Sequence, residues 1–355
     1  MEARLEKRRL VGTAGKIARM KYVRIAVSIA LILVLLLRMD IGRTIRAVGS
    51  VDGLYFAAAL LTFAASLALG SVQWTVLLRI QSIYITFSRA LSFYYVGAFF
   101  NVILPSNIGG DVVRVYDVYR ESGKSNEAIA ATLTDRMMGM IALGILAMPS
   151  GLYVALSRSA PGAYGGFGRS SLLIVFAFIA LLVLSFSILM HRNLARGIFR
   201  LLRPLFIGGT RERLKSIYES IYLYRDNPGG LAGALGIAMV VQVLRVLVHY
   251  EVSVAMGLDI PIIYFFLFIP VIAIFIALPI SIGGLGVREG LGVMLFCSVV
   301  PGLAEEQAFA MELLAGIVGV LVSLIGGMIY VRRGFAPYRV DRDLTDGRLA
   351  DANGR

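Results

Sequence analysis

The chain has 355 residues, of which 58% are hydrophobic and only 16% charged, yet its formal net charge is +13. Its mean hydropathy is +0.80, and its apolar content exceeds the roughly 45–50% of soluble globular domains. A soluble nucleic-acid binder spreads basic residues over a polar face. Here Lys and Arg sit in the gaps between long apolar runs, which excludes nucleic acid and implies a membrane protein facing anionic lipid.

In chain order, residues 1–20 form a basic leader, and the first apolar run, Ile25–Leu37, ends at Arg38-Met39-Asp40 without a small-residue cleavage site. It therefore reads as an uncleaved span within the segment 21–37 and not as a signal peptide. Crossing a hydrocarbon core of roughly 30 Å takes about 20 helical residues. Six segments meet that requirement: 21–37, 53–79, 127–156, 170–190, 230–256 and 307–331. Two further regions are apolar but broken. Residues 87–104 stop at Pro105 and Gly109-Gly110, and the stretch that follows to Lys124 is too polar to span. Residues 262–278 stop at Pro279 and Gly283-Gly284 and return only as the short run 290–300. Both are predicted to be helical hairpins that enter the membrane and turn back, which requires protein or water around their irregular backbone. The loop 191–228 alternates basic residues with Leu201, Leu202, Phe206, Leu214, Ile217 and Tyr218, the pattern of an amphipathic helix on an anionic leaflet. The tail 336–355 is polar and reads as disordered.

Charge orients these segments, because Lys and Arg accumulate in cytoplasmic loops. With the N-terminus inside and both hairpins re-entrant, 26 of the 35 basic residues fall inside and only five outside. The C-terminus is then also cytoplasmic, as expected of a multi-pass protein of a bacterial-type inner membrane. Arg38, Arg43 and Arg46 are the exception, in a short outer loop that an interfacial helix would accommodate. In this topology the repeat units 53–156 and 230–331 have opposite orientation. The predicted architecture is an all-α polytopic membrane protein with six full transmembrane helices and two re-entrant hairpins in an inverted repeat, all within a domain spanning 21–335.

The hairpins also share a text. Leu104-Pro-Ser-Asn-Ile-Gly-Gly-Asp-Val-Val-Arg114 and Leu278-Pro-Ile-Ser-Ile-Gly-Gly-Leu-Gly-Val-Arg288 match at seven of eleven positions. Interrupted apolar segments in corresponding halves point to a transporter binding site. Proline ends the first arm, and the glycines are expected to make the turn. The second arm then begins with unpartnered amides, partial positive charge and an arginine one turn on, which suits a phosphate. The predicted headgroup ligands are Arg114 and Arg288 with Gly109, Gly110, Gly283 and Gly284, and with Ser106, Asn107 and Ser281 as polar neighbours. The bland alternative is close helix packing at the glycines and a snorkelling arginine.

Charged residues inside spans tend to mark pathways. Span 127–156 carries Asp135 and Arg136, and span 230–256 carries Gln242, Arg245 and His249 on one stripe. Together with Asp111 and Glu289 these are the candidate pathway or proton-coupling residues. No cofactor or metal is expected: Cys297 is the only cysteine, and His191 and His249 the only histidines. No serine-nucleophile motif or nucleotide-phosphate loop is evident.

Several of these features occur together in one known family. Phe100-Asn101, Leu104-Pro105, Gly109-Gly110-Asp111, Arg114, Asp135-Arg136, Gly139 and Gly283-Gly284-Leu285-Gly286-Val287-Arg288-Glu289 occur in an order that resembles the flippase-like integral membrane family. That family is typified by the transmembrane region of lysylphosphatidylglycerol synthetase, and the resemblance covers roughly residues 20–335. It implies movement of a phospholipid between leaflets. The soluble synthetase domain of such proteins is not expected in a chain that ends at Arg355. The expected partners are membrane lipids, either an anionic phospholipid or a polyprenyl phosphate, and a lipid-modifying enzyme. Two other readings stand beside the flippase: a membrane-embedded transferase using a lipid-phosphate substrate, with Asp111, Glu289 or His249 as base, and a non-catalytic partner of a lipid-modifying enzyme.

Overall fold

The computed structural model describes residues 51–104, 109–156, 210–277, 281 and 283–333, with isolated positions 42, 49 and 177. Apart from the isolated position 177, the predicted spans 21–37 and 170–190, the whole leader 1–20 and the polar tail lie outside the described residues, as do Ser106 and Asn107. Among the described residues the secondary structure is helical, with no strand. The α-helices are α1 (Gly53–Ile80), α2 (Phe87–Ile103), α3 (Gly109–Ser122), α4 (Ser125–Leu156), α5 (Thr210–Tyr222), α6 (Pro228–Ala255), α7 (Ile262–Ala277), α8 (Val287–Cys297) and α9 (Glu305–Arg333). Four of them, α1, α4, α6 and α9, are long and apolar enough to cross a membrane. The protein is therefore a multi-pass membrane protein.

Local chemistry sets the helix starts. Asp52 caps α1, its Oδ1 accepting from the amides of Leu54 at 2.7 Å and Tyr55 at 3.4 Å. Asn227 caps α6 through Gly230 N at 2.9 Å, with Pro228 in the first turn, where its missing N–H costs nothing. The amide of Asp52 donates to the Ala255 carbonyl at 2.7 Å, tying the start of α1 to the end of α6. These two helices lie antiparallel along the largest helix–helix contact among the described elements.

The short connections 81–86 and 256–261 then place the remaining pairs. The α2–α3 pair begins at the end of the bundle where α1 finishes, and the α7–α8 pair begins at the opposite end, where α6 finishes. The two broken apolar regions thus start from opposite ends of the bundle. At 17 and 16 residues, α2 and α7 each extend about 25 Å at 1.5 Å per residue, near the lower limit for crossing a hydrocarbon core.

One apolar cluster joins α6, α7, α8 and α9 around Phe265, Phe268 and Phe296; another joins α1, α2 and α4 around Trp74, Leu77 and Phe93. In lipid, apolar burial gives little drive for helix association, so close packing and hydrogen bonds carry more of it. Helix α5, the described part of the predicted amphipathic loop, turns Tyr218 and Ile221 inward and packs on α4. Asn126 Nδ2 donates to Ser216 Oγ at 2.8 Å, and Gln81 Nε2 to the Ser220 carbonyl at 2.5 Å. The following 3-10 turn, Leu223–Asp226, is anchored by the fully buried Tyr224, whose hydroxyl donates to the Leu77 carbonyl at 3.0 Å. Tyr224→Phe is expected to lower stability by about 1 kcal/mol, measured as a fall in the thermal unfolding midpoint in detergent.

The two glycine pairs behave differently, which corrects the expectation that each makes a turn. Gly283, Gly284 and Gly286 have φ of +58°, +80° and +81° and do form the turn between α7 and α8. Gly109 and Gly110 lie in the first turn of α3 itself. A Cβ on Gly110 would run into the Gly97 carbonyl of α2, and one on Gly97 would meet the Arg114 side chain at 2.6 Å. In the first copy the absence of a side chain lets two helix backbones touch. In the second it permits left-handed backbone.

Candidate functional site

Helices α1, α2, α3, α4, α6 and α7 enclose a cavity of about 470 Å³, within the ordinary range for small-ligand pockets. Its lining is amphipathic. Asp111, Arg114, Asp135, Arg136, Gln242 and Arg245 are the conspicuous polar members, and Phe63, Leu67, Leu143 and Ile274 are among the apolar ones.

The charged residues form a connected network. Asp111 Oδ1 accepts from Arg114 Nη2 at 2.5 Å, and its Oδ2 accepts from Arg136 Nε. Arg114 Nη1 donates to Asp135 Oδ2 at 3.4 Å. The Arg114 guanidinium also lies 4.5 Å from the Tyr94 ring centre and 5.1 Å from that of Trp74, a cation–π arrangement strengthened by exclusion of water. Arg114 and Asp111 are each only 5% exposed. Arg114, a predicted phosphate ligand, therefore lines the cavity with its guanidinium in contact with two carboxylates and two rings.

The frame holding this network is itself hydrogen-bonded. Asn101 Oδ1 accepts from the Gly110 amide at 2.8 Å, so one of the α3 N-terminal amides is already engaged. Trp74 Nε1 donates to Thr132 Oγ1 at 3.2 Å, and Gln73 Nε2 to the Asp135 carbonyl at 3.3 Å. Gly139 brings α4 close enough to α6 that a Cβ there would sit 2.9 Å from Gln242 Nε2.

Arg245 is different. Its buried Nε has no hydrogen-bond partner, and among the described residues no carboxylate pairs with it. Three arginines against two aspartates leave the cavity lining with a formal charge of +1. A guanidinium that lines a cavity with no carboxylate in hydrogen-bonding contact has the donors to accept an anion.

The second motif copy lies elsewhere. Arg288 and Glu289 do not line this cavity. Arg288 Nη2 donates to Glu289 Oε1 at 2.6 Å, and Glu289 Oε2 accepts from the Gly286 amide at 2.6 Å, closing the start of α8. Ser281 is buried at 5% exposure, also outside the cavity lining. His249, one turn beyond Arg245 on α6, contacts Glu312 of α9 instead, Nδ1 to Oε1 at 3.2 Å. Gly109, Gly283 and Gly284 likewise do not line the cavity, while Asp135, Arg136, Gln242 and Arg245 do.

As site residues, sequence reasoning passed over Tyr94, Trp74, Gln73 and Glu312, and it used Asn101 only as part of the family resemblance. Gln73 and Glu312 carried a readable signal, since each is a polar side chain isolated in an apolar span. The aromatic pair carried none, because only the fold brings it beneath Arg114.

Comparison with known proteins agrees with this architecture. The family model of the lysylphosphatidylglycerol synthase transmembrane region matches residues 22–327. A UPF0104 membrane protein of Pyrococcus horikoshii is 24% identical over 330 residues, covering 88% of this chain and 97% of its relative. No solved structure matches the chain. With its all-helical bundle and a match over most of its length, the chain belongs to the family of the lysylphosphatidylglycerol synthase transmembrane region.

Proposed function

We propose that this protein is a lipid flippase that moves an anionic, phosphate-bearing lipid between the leaflets of a cell membrane. The observation that carries the reading is Arg245, whose buried Nε has no hydrogen-bond partner, in an amphipathic cavity of net positive charge. A headgroup phosphate satisfies that arginine, while the apolar walls accept the first methylenes of the acyl or prenyl chain. In this reading both termini are cytoplasmic, and the α2–α3 and α7–α8 pairs re-enter from opposite faces. Their start at opposite ends of the bundle supports that inverted arrangement.

The alternative of a membrane-embedded transferase needs an available base beside the anion. Both cavity carboxylates are engaged by arginines, which favours transport over chemistry. Purified protein in liposomes, supplied with labelled phosphatidylglycerol or polyprenyl phosphate on one leaflet, tests the proposal. Translocation above protein-free liposomes is expected, with at least a roughly tenfold loss in Arg245→Gln, the order expected when a charge-assisted contact of about 1.5–3 kcal/mol is removed. No movement of either lipid would sink the flippase reading, and formation of a modified lipid would favour the transferase.

A further inference from the structure

A second polar cluster sits beside the cavity without lining it. Glu312 is fully buried in α9; its Oε1 lies 3.2 Å from His249 Nδ1, and its Oε2 is buried with no hydrogen-bond partner. A fully ionised carboxylate in that position would hold an unsatisfied charged oxygen away from water, a costly state. Arg288 gives no relief, because its contacts go to Glu289. Gly292 and Gly316 show how tightly the pieces are set. A Cβ on Gly292 would strike the Glu312 side chain, and one on Gly316 would strike the Arg288 guanidinium. Glu312 therefore lies against Gly292, and Arg288 against Gly316.

The ionisable surroundings of the pair are few. Helix α6 itself supplies Arg245 and Glu251, and α8 supplies Arg288 and Glu289. Glu251 is turned to α1, where Thr62 Oγ1 donates to its Oε1 at 2.9 Å. Helix α7 has no charged side chain, and α1 has none before Arg79. Across the cavity, α4 contributes Asp135 and Arg136, and the other charges of α9 lie near its ends, at Glu305, Glu306, Arg332 and Arg333. With His249 neutral and both glutamates ionised, Arg288, Glu289 and Glu312 sum to −1. One proton brings the cluster to zero.

This proton has a physical link to the cavity. Gln242, Arg245 and His249 follow one another at spacings of three and four on α6, so they share a face. Gln242 and Arg245 line the cavity, and His249 carries the stripe on to Glu312. When the pair lacks its proton, a negative charge stands just beyond Arg245 and opposes an incoming anion. When the proton is bound, that opposition is gone.

We propose that the His249–Glu312 pair binds one coupling proton, taken up together with the anionic headgroup held at Arg245. The proposal rests on the transport reading and deepens it by naming the coupled ion. The proton is taken from water, is shared between Glu312 and His249, and returns to water on release, with no bond to the lipid made or broken. Because coupling between two ligands is reciprocal, anion binding must raise proton affinity by the factor by which protonation raises anion affinity.

The test uses the full chain in detergent micelles, with dioctanoyl phosphatidylglycerol as one probe and dimethyl phosphate, a diester that stays monoanionic across this pH range, as the other. Trp74, the sole tryptophan, stacks under Arg114 and reports binding by fluorescence. Calorimetry in two buffers of different ionisation enthalpy counts protons. The expected result is about tenfold tighter binding at pH 6 than at pH 8, within the range of ordinary coupling, with close to one proton taken up per lipid across that interval. Glu312→Gln, permanently neutral, is expected to bind tightly at both pH values with no proton uptake. Glu305→Gln, at the start of α9, keeps the wild-type profile. Dimethyl phosphate showing the same coupling assigns it to the headgroup, and a response to the lipid alone assigns it to the lipid as a whole. Lipid binding without proton uptake, or uptake that persists in Glu312→Gln, overturns the proposal and leaves the transport reading standing. If the variant does not fold, the wild-type proton count decides alone. Failure of the wild type to bind either probe at any pH overturns both.

Discussion

Asp111→Ala is expected to abolish lipid movement and to cost about 3–5 kcal/mol of stability, the range for removing one partner of a buried ion pair. The magnitude follows from position. Asp111 is the one carboxylate shared by Arg114 and Arg136, and it is 5% exposed. Without it the one carboxylate left to Arg114 is Asp135, at 3.4 Å, and Arg136 loses its bond to the α3 carboxylate. The cavity lining rises from +1 to +2, so a lipid phosphate would be held more tightly as the bundle weakens. Transport and stability would then both fall, while affinity for a soluble anion would rise. Replacing both members, Asp111→Ala with Arg114→Met, removes the buried unpaired charge and is expected to recover part of the lost stability. Thermal unfolding in detergent measures the first effect, and Trp74 fluorescence with phosphate the second. A melting temperature within a degree of wild type in Asp111→Ala would mean that the network carries no structural weight.

Gly110→Leu is expected to be nearly as damaging, at about 3 kcal/mol, the upper end for overpacking. Its new side chain would meet the backbone of Gly97 and the Asn101 side chain at 2.7 Å. A backbone cannot move aside as the end of a flexible side chain can. Parting α2 from α3 also breaks the 2.8 Å bond from the Gly110 amide to Asn101 and shifts the stem of Arg114, which lies against Gly97. The motif-equivalent change at Gly283 has a different cause and a smaller cost. A Cβ there meets nothing within 4 Å, but φ is +58°, so Gly283→Ala is expected to cost about 1–2 kcal/mol through the left-handed backbone alone. Equal loss of stability at the two positions would mean that the two copies are conformationally equivalent after all.

This contrast shows where reading the text stops. The match of Leu-Pro-x-x-Ile-Gly-Gly to Arg was visible in one dimension, and so was the interruption of both apolar runs. The copies nonetheless place their arginines differently. Arg114 lies among Asp111, Asp135 and two rings at the cavity, and Arg288 lies against Glu289 and Gly316 beyond it. The deciding differences are small: Asp111 in the first copy faces Leu285 in the second, and only the second has Gly286 and Glu289 to close its helix start.

Spans α1, α4, α6 and α9 could be drawn from hydropathy with boundaries within a few residues of the structure. Each segment must satisfy its backbone and match the lipid by itself, and that requirement is local in the chain. The polar stripe Gln242, Arg245 and His249 was legible for the same reason, since helical periodicity alone puts the three on one face. Partners are not local. Whether a buried arginine is neutralised or free depends on which helix lies opposite it, and that follows from close contacts between helices far apart in sequence. Tertiary structure therefore decided that Arg114 is paired, that Arg245 lines the cavity without a carboxylate in hydrogen-bonding contact among the described residues, and that His249 meets Glu312. Sequence by itself determined a multi-pass helical membrane protein with two broken segments and charges held at depth. The fold decided which of those charges face one another, because ion pairing is set by distances of a few ångströms that no single segment specifies.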